Sequence, residues 1–140
     1  MSEEQAVKAA VDQWFVALNA MLNGDPSPLS EVYSHADDVA YMGAQGSYQV
    51  GWNAIFADWK EQAEKSSGGN VEGANVHVIV TGEMAVAQHY TRGQVRKPDG
   101  GMDENNVRET SVFRKEGGGW KMIAHHADGI AYWEEAFASK

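Results

Sequence analysis

The sequence predicts an α+β fold in which helices pack on one face of a curved antiparallel sheet. In the first half of the chain, apolar residues recur every three or four positions, the spacing of amphipathic helices. From Val71 onward, apolar and polar residues alternate instead, as they do in half-buried strands. Because the helices precede the long strands, one sheet covered on one side is favoured over a parallel α/β fold. No repeat or linker divides the chain, so we expect a single domain over residues 1–140.

Three segments have helical patterns. Ser2 and Gln5 form a capping box at the start of the first and longest helix, and Gly24 is expected to end it. Its apolar face consists of Val7, Val11, Trp14, Phe15, Leu18, Met21 and Leu22. A short second helix is predicted over residues 29–33, after a Ser-Pro cap. The Ser-Ser-Gly-Gly run at 66–69 stops the third helix. The apolar face of that helix consists of Trp52, Ile55, Phe56, Trp59 and Ala63.

The remaining segments have strand patterns. Two short strands joined by a turn are predicted within residues 39–50. A meander of three or four long strands should follow, because alternating segments are separated by turns rich in glycine and proline. These segments are residues 75–80, 84–95, 106–114 and 120–127. The aromatic residues of the last segment, 130–138, predict a final helix.

Composition excludes several classes of function. The chain has no cysteine, so it has no disulfide, thiolate nucleophile or cysteine-based metal centre. Its net charge of −9 comes with basic residues scattered along the chain, which disfavours binding to nucleic acid or to anionic membranes. The first residues lack the pattern of a signal peptide, and no apolar run is long enough to span a bilayer. We therefore expect a cytoplasmic protein with neither nucleic acid nor membrane as a partner.

The order of these segments and their local sequences resemble those of the NTF2-like superfamily, in particular its SnoaL-like branch. The resemblance rests on Gly24-Asp25 at the end of the first helix, on residues 32–43, on residues 51–55 and on residues 108–129. The last of these is similar to the family's closing hairpin, with an Arg-x-Thr strand, a Gly-Trp turn and a strand ending in histidine. The matching positions are Arg108, Thr110, Gly119, Trp120 and His126, with Asp128 where the family usually has serine.

This resemblance implies a cone-shaped α+β barrel, with a long N-terminal helix and two shorter helices packed on a strongly curved antiparallel or mixed sheet. It further implies a pocket inside the cone and a homodimer formed through the sheet. We expect no cofactor. It does not select one reaction, because unrelated functions share this fold. Steroid isomerases of this fold carry a catalytic carboxylate where this chain has Met42 and Gly43, so that activity is disfavoured.

Adjacent histidines end the last strand, and strict alternation would point them to opposite faces of the sheet. We expect His126 to face the pocket with Arg108, and His125 to face a dimer partner. The candidate catalytic residues are then His126, as an acid or base, Arg108, and Asp128, which would orient His126. The alternative is that His126 only closes the strand end through a hydrogen bond.

Aromatic and polar residues suggest what the pocket would bind. The candidate ligand-binding residues are Tyr41, Trp52, Trp59, His89, Arg108 and His126. Their rings favour a small apolar or aromatic molecule, although an aromatic stripe on a helix is often only core. No metal site is expected, because the five histidines lack the spacing of a metal-binding motif.

Three functions fit these observations. The leading prediction is a small-molecule-binding homodimer whose apolar pocket carries a few polar groups. The first alternative is an acid/base enzyme of the cyclase, dehydratase or isomerase type, in which His126 transfers a proton of a carbonyl compound and Arg108 stabilises an oxyanion. The second is a ligand-free oligomerisation module with an exposed face formed by His125, Ile123 and Phe113.

Overall fold

A computed structural model describes residues 2–130 as three helices and one six-stranded sheet. The helices are α1 (Glu3–Leu22), α2 (Leu29–Val32) and α3 (Trp52–Lys65). The strands are β1 (Ala40–Met42), β2 (Tyr48–Val50), β3 (Gly69–Thr81), β4 (Met84–Arg96), β5 (Met102–Glu116) and β6 (Gly119–Gly129). Residues 131–138 of the predicted final helix lie outside the described residues. None of the helices in residues 2–130 has both the length and the hydropathy that a bilayer span needs.

The sheet is mixed, with strand order β2-β1-β6-β5-β4-β3. Only the β1–β6 pair is parallel, and the other neighbours are antiparallel. The long strands β3 to β6 form the predicted meander, and the small β1–β2 hairpin extends it beyond β6. One long first helix, helices that precede the four long strands, and a mixed sheet confirm the predicted fold class.

Helix α1 forms as its capping box predicts. The amide of Gln5 donates to Ser2 Oγ over 3.1 Å, and the amide of Ser2 donates to Gln5 Oε1 over 2.9 Å. These two bonds satisfy amide groups at and near the helix start that have no partner within the helix. The apolar face of α1 then packs on one side of the sheet, which we call the inner face. The buried residues of α1 are Val7, Val11, Trp14, Ala17, Leu18 and Met21.

Strand β3 begins earlier than predicted, at Gly69 rather than near residue 75. A bulge between Ala74 and His77 interrupts its pairing with β4, and Asn75 has a φ of 59° there. Asparagine tolerates this left-handed conformation better than most residues. The bulge interrupts the alternation of inward and outward side chains, so the sequence pattern predicted only the second half of β3.

A second bulge decides which side chains of β6 face inward. Val112 pairs with Ala124, but the next residue, Phe113, pairs with Met122, so Ile123 has no partner of its own on β5. One extra residue reverses the alternation beyond it. His125 is therefore on the inner face, only 3% exposed.

The same bulge overturns the predicted faces of the two histidines. His126 lies on the opposite, outer face, with its side chain 51% exposed, so the prediction that it faces a pocket inside the cone is wrong. The predicted exposed surface of His125, Ile123 and Phe113 is also wrong, because His125 and Phe113 are both buried. Arg108 lies on the outer face as well, since its neighbours Val107 and Glu109 are the buried residues of this part of β5.

Candidate functional site

A buried carboxylate, Glu109 of β5, lies at the centre of the inner face. Its Oε1 accepts hydrogen bonds from Thr91 Oγ1 over 2.7 Å and from Trp14 Nε1 over 3.3 Å. Its Oε2 is 3.5 Å from Nε2 of His125, and its Oε1 is 3.7 Å from Nδ1 of His89. Because these partners come from β4, β6 and α1, the fold itself assembles the cluster. We call these five residues the Glu109 cluster.

The imidazole of His125 is fixed from several sides. Its Nδ1 is 2.8 Å from Ser111 Oγ, while its Nε2 faces Glu109. Its ring is 4.4 Å from that of Trp14 and stacks at 6.1 Å on Tyr41. His125 therefore contacts Ser111 through one ring nitrogen and Glu109 through the other, which fixes the orientation of its ring. Acid/base chemistry and ligand positioning both require such a fixed orientation.

Two effects of opposite sign act on the pKa of Glu109. Burial alone would raise it, because a charged carboxylate loses its hydration. The charges of His125 and His89 and the hydrogen bonds from His125 and Thr91 outweigh burial, so the pKa of Glu109 lies below its ordinary value. Glu109 is therefore ionised at neutral pH.

Two neighbouring groups, His89 and Tyr41, stay uncharged at neutral pH. Burial lowers the pKa of His89 from its ordinary value, against the opposing effect of Glu109. Nδ1 of His89 is 3.2 Å from the carbonyl oxygen of Tyr90, so this nitrogen carries the proton and donates it. Burial raises the pKa of Tyr41 to about 12, which keeps its hydroxyl protonated. Gln62 Nε2 donates to that hydroxyl over 3.1 Å.

A cavity of about 70 Å³ adjoins Glu109 and His125. Its other lining residues are Trp14, Leu18, Met21, Leu22, Tyr41, Ala44, Gln45, Trp59, Gln62, Asn105, Val107 and Ala127. Gln45 and Gln62 also line an open groove beside α3, so the cavity approaches solvent on that side. For comparison, an apolar cavity of roughly 150 Å³ accepts benzene. The interior thus has room for a small molecule only, and aromatic side chains fill the rest of the predicted pocket.

A larger and more open groove, of about 500 Å³, lies mainly on the outer face. It brings together the three predicted catalytic residues, Arg108, His126 and Asp128. His126 Nε2 is 2.7 Å from Asp128 Oδ2, so the expected pairing of these two side chains is present. We call this feature the outer groove.

The structure therefore divides the predicted site residues between the two faces. Tyr41 and Trp59 line the inner cavity, and His89 lies in the adjacent Glu109 cluster. Arg108 and His126 line the outer groove. Trp52 belongs to neither group, since its ring stacks on His35 at 4.5 Å and on Phe56 at 5.1 Å. The functional role of each of these residues stays a prediction.

Glu109, around which the buried polar groups are organised, was not among the site residues predicted from the sequence. A signal was present in the alternation of β5, because one set of alternate residues, Val107, Glu109, Ser111 and Phe113, has two apolar members, whereas the other, Asn106, Arg108, Thr110, Val112 and Arg114, has one. The two apolar members mark the first set as the inward one. By the same alternation, Glu109 and Ser111 face the core as well. Within residues 2–130, no three histidine or carboxylate side chains are arranged to hold a metal ion.

Comparison with known proteins agrees with this architecture. The sequence model of the SnoaL-like domain family matches residues 7–132. No curated protein matches the chain at a significant level. A proposed dehydratase of the NTF2-like family from Streptomyces avermitilis is 22% identical, with a TM-score of 0.80, over 91% of this chain and 95% of that one. An NTF2-like superfamily protein from Salmonella enterica serovar Typhimurium is 20% identical, with a TM-score of 0.80, over 91% of each chain.

An assembly domain also shares the fold. The association domain of C. elegans CaMKII is 16% identical, with a TM-score of 0.67, over 89% of this chain and 97% of that one. At identities this low, the similarity to solved structures establishes the NTF2-like fold alone.

Proposed function

The chain belongs to the SnoaL-like domain family, and we propose that it binds a small, largely apolar or aromatic molecule in the inner cavity, with Glu109 as the polar anchor. The observation that carries this proposal is an ionised carboxylate, 6% exposed, at the wall of a cavity lined by aromatic rings. Ligand sites combine apolar walls with a few fixed polar groups in this way.

One oxygen of Glu109 is available to a ligand. Oε1 already accepts from Thr91 and Trp14, whereas Oε2 has only His125 as a partner among residues 2–130, at the long distance of 3.5 Å. Oε2 could therefore accept a hydrogen bond from a hydroxyl or another donor on the ligand. The cavity volume of about 70 Å³ limits the ligand to a few heavy atoms unless Tyr41 or Gln45 moves.

Filling the cavity tests this proposal without removing any polar group. Ala127 lines the cavity, and Ala127→Leu would occupy most of its volume. We expect a small hydroxyketone probe such as hydroxyacetone, which has a hydroxyl donor for Glu109, to shift the indole N–H resonances of Trp14 and Trp59 in the wild-type protein but not in Ala127→Leu. Ala9→Leu, at an exposed position of α1, is the matched control, and this variant should bind the probe as the wild-type protein does. Equal shifts in Ala127→Leu, or none in the wild type, would contradict the proposal.

The second candidate is an acid/base enzyme that acts in the same cavity. It is favoured by the ionised Glu109 beside His125, since this pair could remove a proton next to a carbonyl group and return it elsewhere. The dehydratase proposed from Streptomyces avermitilis has chemistry of this general kind. The same carbonyl samples distinguish the two candidates. Deuterium incorporation beside the carbonyl, abolished in Ala127→Leu, supports an enzyme, and binding without incorporation supports a binding protein.

We further propose that the protein forms a homodimer through the outer face of its sheet. A row of apolar residues crosses all six strands there, in the register order Ile79, Val86, Val112, Ala124, Ala40 and Val50. At the two ends of the row, Val50 is 57% exposed and Ile79 is 50% exposed. A continuous apolar row in water is stabilised by burial against a second copy.

The solution mass tests the dimer. Sedimentation should give twice the chain mass for the wild-type protein and a shift to monomer for Ile79→Asp, because the new charge would be buried in the interface. Val16→Asp adds the same charge at an exposed apolar residue of α1 and should leave the mass unchanged. A wild-type monomer, or a dimer that withstands Ile79→Asp, would exclude this interface.

A further inference from the structure

His125 is held in one orientation at the wall of the inner cavity. Ser111 Oγ lies 2.8 Å from its Nδ1, and Glu109 Oε2 lies 3.5 Å from its Nε2, so the direction of each ring nitrogen is known. The rings of Trp14 and Tyr41 lie 4.4 and 6.1 Å from the imidazole. His125 and Glu109 both line the cavity, and both side chains are buried. The positions of these polar atoms are therefore fixed before any ligand enters.

The charge of Glu109 determines which nitrogen of His125 carries a proton. Glu109 is ionised, so its carboxylate oxygens accept hydrogen bonds and cannot donate them. Because Nε2 of His125 faces Oε2 of that carboxylate, the proton between the two atoms must be on Nε2. In the neutral ring, Nδ1 then has no proton and accepts a hydrogen bond from the hydroxyl of Ser111. His125 thus presents an N–H donor, and Glu109 an acceptor, to the same cavity.

The donor of His125 and the acceptor of Glu109 do not fully satisfy each other. At 3.5 Å, these two atoms are farther apart than the usual range of about 2.7–3.2 Å for an N–H···O hydrogen bond. Gln62, in the same cavity wall, shows the contrast. Its side-chain amide nitrogen donates to Tyr41 over 3.1 Å and to Asp58 over 3.0 Å, which uses both of its hydrogens. The pair of His125 and Glu109 therefore offers a ligand one donor and one acceptor, side by side.

We propose that the ligand of the inner cavity is a small hydroxycarbonyl compound, whose carbonyl oxygen accepts from His125 Nε2–H and whose hydroxyl donates to Glu109 Oε2. This inference rests on the proposed function and names the class of molecule that the cavity takes. The two oxygens of a hydroxyketone are on neighbouring carbons, so one ligand reaches both protein atoms while its carbon skeleton contacts the aromatic walls. A carboxylate ligand is disfavoured, because the charge of Glu109 would repel it.

Hydroxyacetone, butanone and butan-2-ol test this assignment, since they have equal numbers of heavy atoms. Butanone has the carbonyl but no donor for Glu109, and butan-2-ol has the hydroxyl but no carbonyl for His125. Titration of the indole N–H resonances of Trp14 and Trp59 gives the Kd of each probe. Ratios of these Kd values cancel any general effect of a substitution on packing.

His125→Phe removes the donor and keeps a ring of similar size. The ratio of the butan-2-ol Kd to the hydroxyacetone Kd should fall about tenfold, the size of one lost hydrogen bond. The ratio of the butanone Kd to the hydroxyacetone Kd should not change, because both probes lose the same carbonyl contact. His35→Phe is the matched control, since His35 is exposed and is not among the residues that line the cavity. Both ratios should equal those of the wild-type protein in this control.

A second measurement needs no variant, so it decides the question even if His125→Phe does not fold. Imidazole nitrogen NMR spectra of the wild-type protein should show a proton on Nε2 of His125. Hydroxyacetone and butanone should shift the Nε2 resonance more than butan-2-ol does, because only these two probes have a carbonyl oxygen for it.

The outcomes separate this inference from the proposed function. Unchanged ratios in His125→Phe, or a His125 ring protonated on Nδ1 alone, would overturn the hydroxycarbonyl assignment while the cavity still bound the probes. Equal binding of all three probes to Ala127→Leu and to the wild type would place them outside the cavity and would overturn the proposed function as well. An absence of binding by every probe to the wild-type protein would also overturn both.

Discussion

Replacing Glu109 by glutamine is expected to lower the free energy of unfolding at neutral pH by about 1.5–3 kcal/mol, the range for hydrogen bonds that involve a charged group. The substitution keeps the shape of the side chain and an oxygen for Thr91, but it removes the negative charge that faces His125 and His89. The cost is large for a near-isosteric change because Glu109 is buried and its carboxylate is held by hydrogen bonds from Thr91 and Trp14.

The effect of Glu109→Gln should depend on pH, and the sign follows from the lowered pKa. A carboxyl group whose pKa is lower in the folded than in the unfolded state binds fewer protons when folded, so it stabilises the protein above its unfolded pKa. That contribution is lost as pH falls from about 4.5, the ordinary value, through the folded value. The difference in the free energy of unfolding between wild type and Glu109→Gln should therefore be largest at neutral pH and become smaller in acid.

Urea unfolding over a pH series measures this difference. Glu72→Gln is the matched control, because Glu72 is an exposed carboxylate on β3 and its loss should change stability by less than about 0.5 kcal/mol. His89 adds to acid destabilisation with the same sign, starting below its ordinary value of 6.5, because burial lowers its pKa. A difference between wild type and Glu109→Gln that stays constant across the series would show that the Glu109 charge does not stabilise the fold.

Trp14→Ala is expected to lower the free energy of unfolding by about 3–5 kcal/mol, the usual cost of truncating a large buried aromatic residue. Trp14 is 1% exposed, packs edge-on against Trp59 at 5.6 Å, and lies 4.4 Å from the ring of His125. Alanine would leave a hole between α1 and the sheet and would remove a donor to Glu109.

Two further variants separate these contributions. Trp14→Phe keeps most of the aromatic packing but removes the indole N–H, so it should cost less than Trp14→Ala while still weakening the Glu109 cluster. Val16→Ala truncates an exposed residue of the same helix and should change stability by at most about 0.5 kcal/mol. Denaturant titration of all three proteins provides the comparison, and similar losses for Val16→Ala and Trp14→Ala would contradict the assigned burial.

The first helix could be predicted closely because its information is local. The capping box of Ser2 and Gln5 and the helical spacing of its apolar residues lie within one continuous segment. The order of the elements likewise followed from the change of period at Val71. Both signals depend on neighbouring residues alone, so distant contacts could not alter them.

The side-chain directions in the second half of the chain could not be predicted in this way. The bulge at Ile123 depends on how β6 pairs with β5, and Lys121 to Ala124 would fit a regular strand equally well. The prediction therefore placed His126 inside. Because Arg108 and Thr110 were assigned to the same face as His126, Glu109 fell on the opposite face and was missed. The bulge at Asn75 did have a local signal, since asparagine is enriched at positive φ, but the alternation on either side concealed it.

The extra residue at Ile123 also determines how this strand can be compared with its relatives. A related chain without that bulge would present, at each later position, the side chain that here points the opposite way. Alignments across residues 122–126 must therefore open a one-residue gap within a strand, where gaps are ordinarily penalised. Insertion or deletion of one residue, rather than substitution, would be the shortest evolutionary route by which His125 and His126 exchange surroundings.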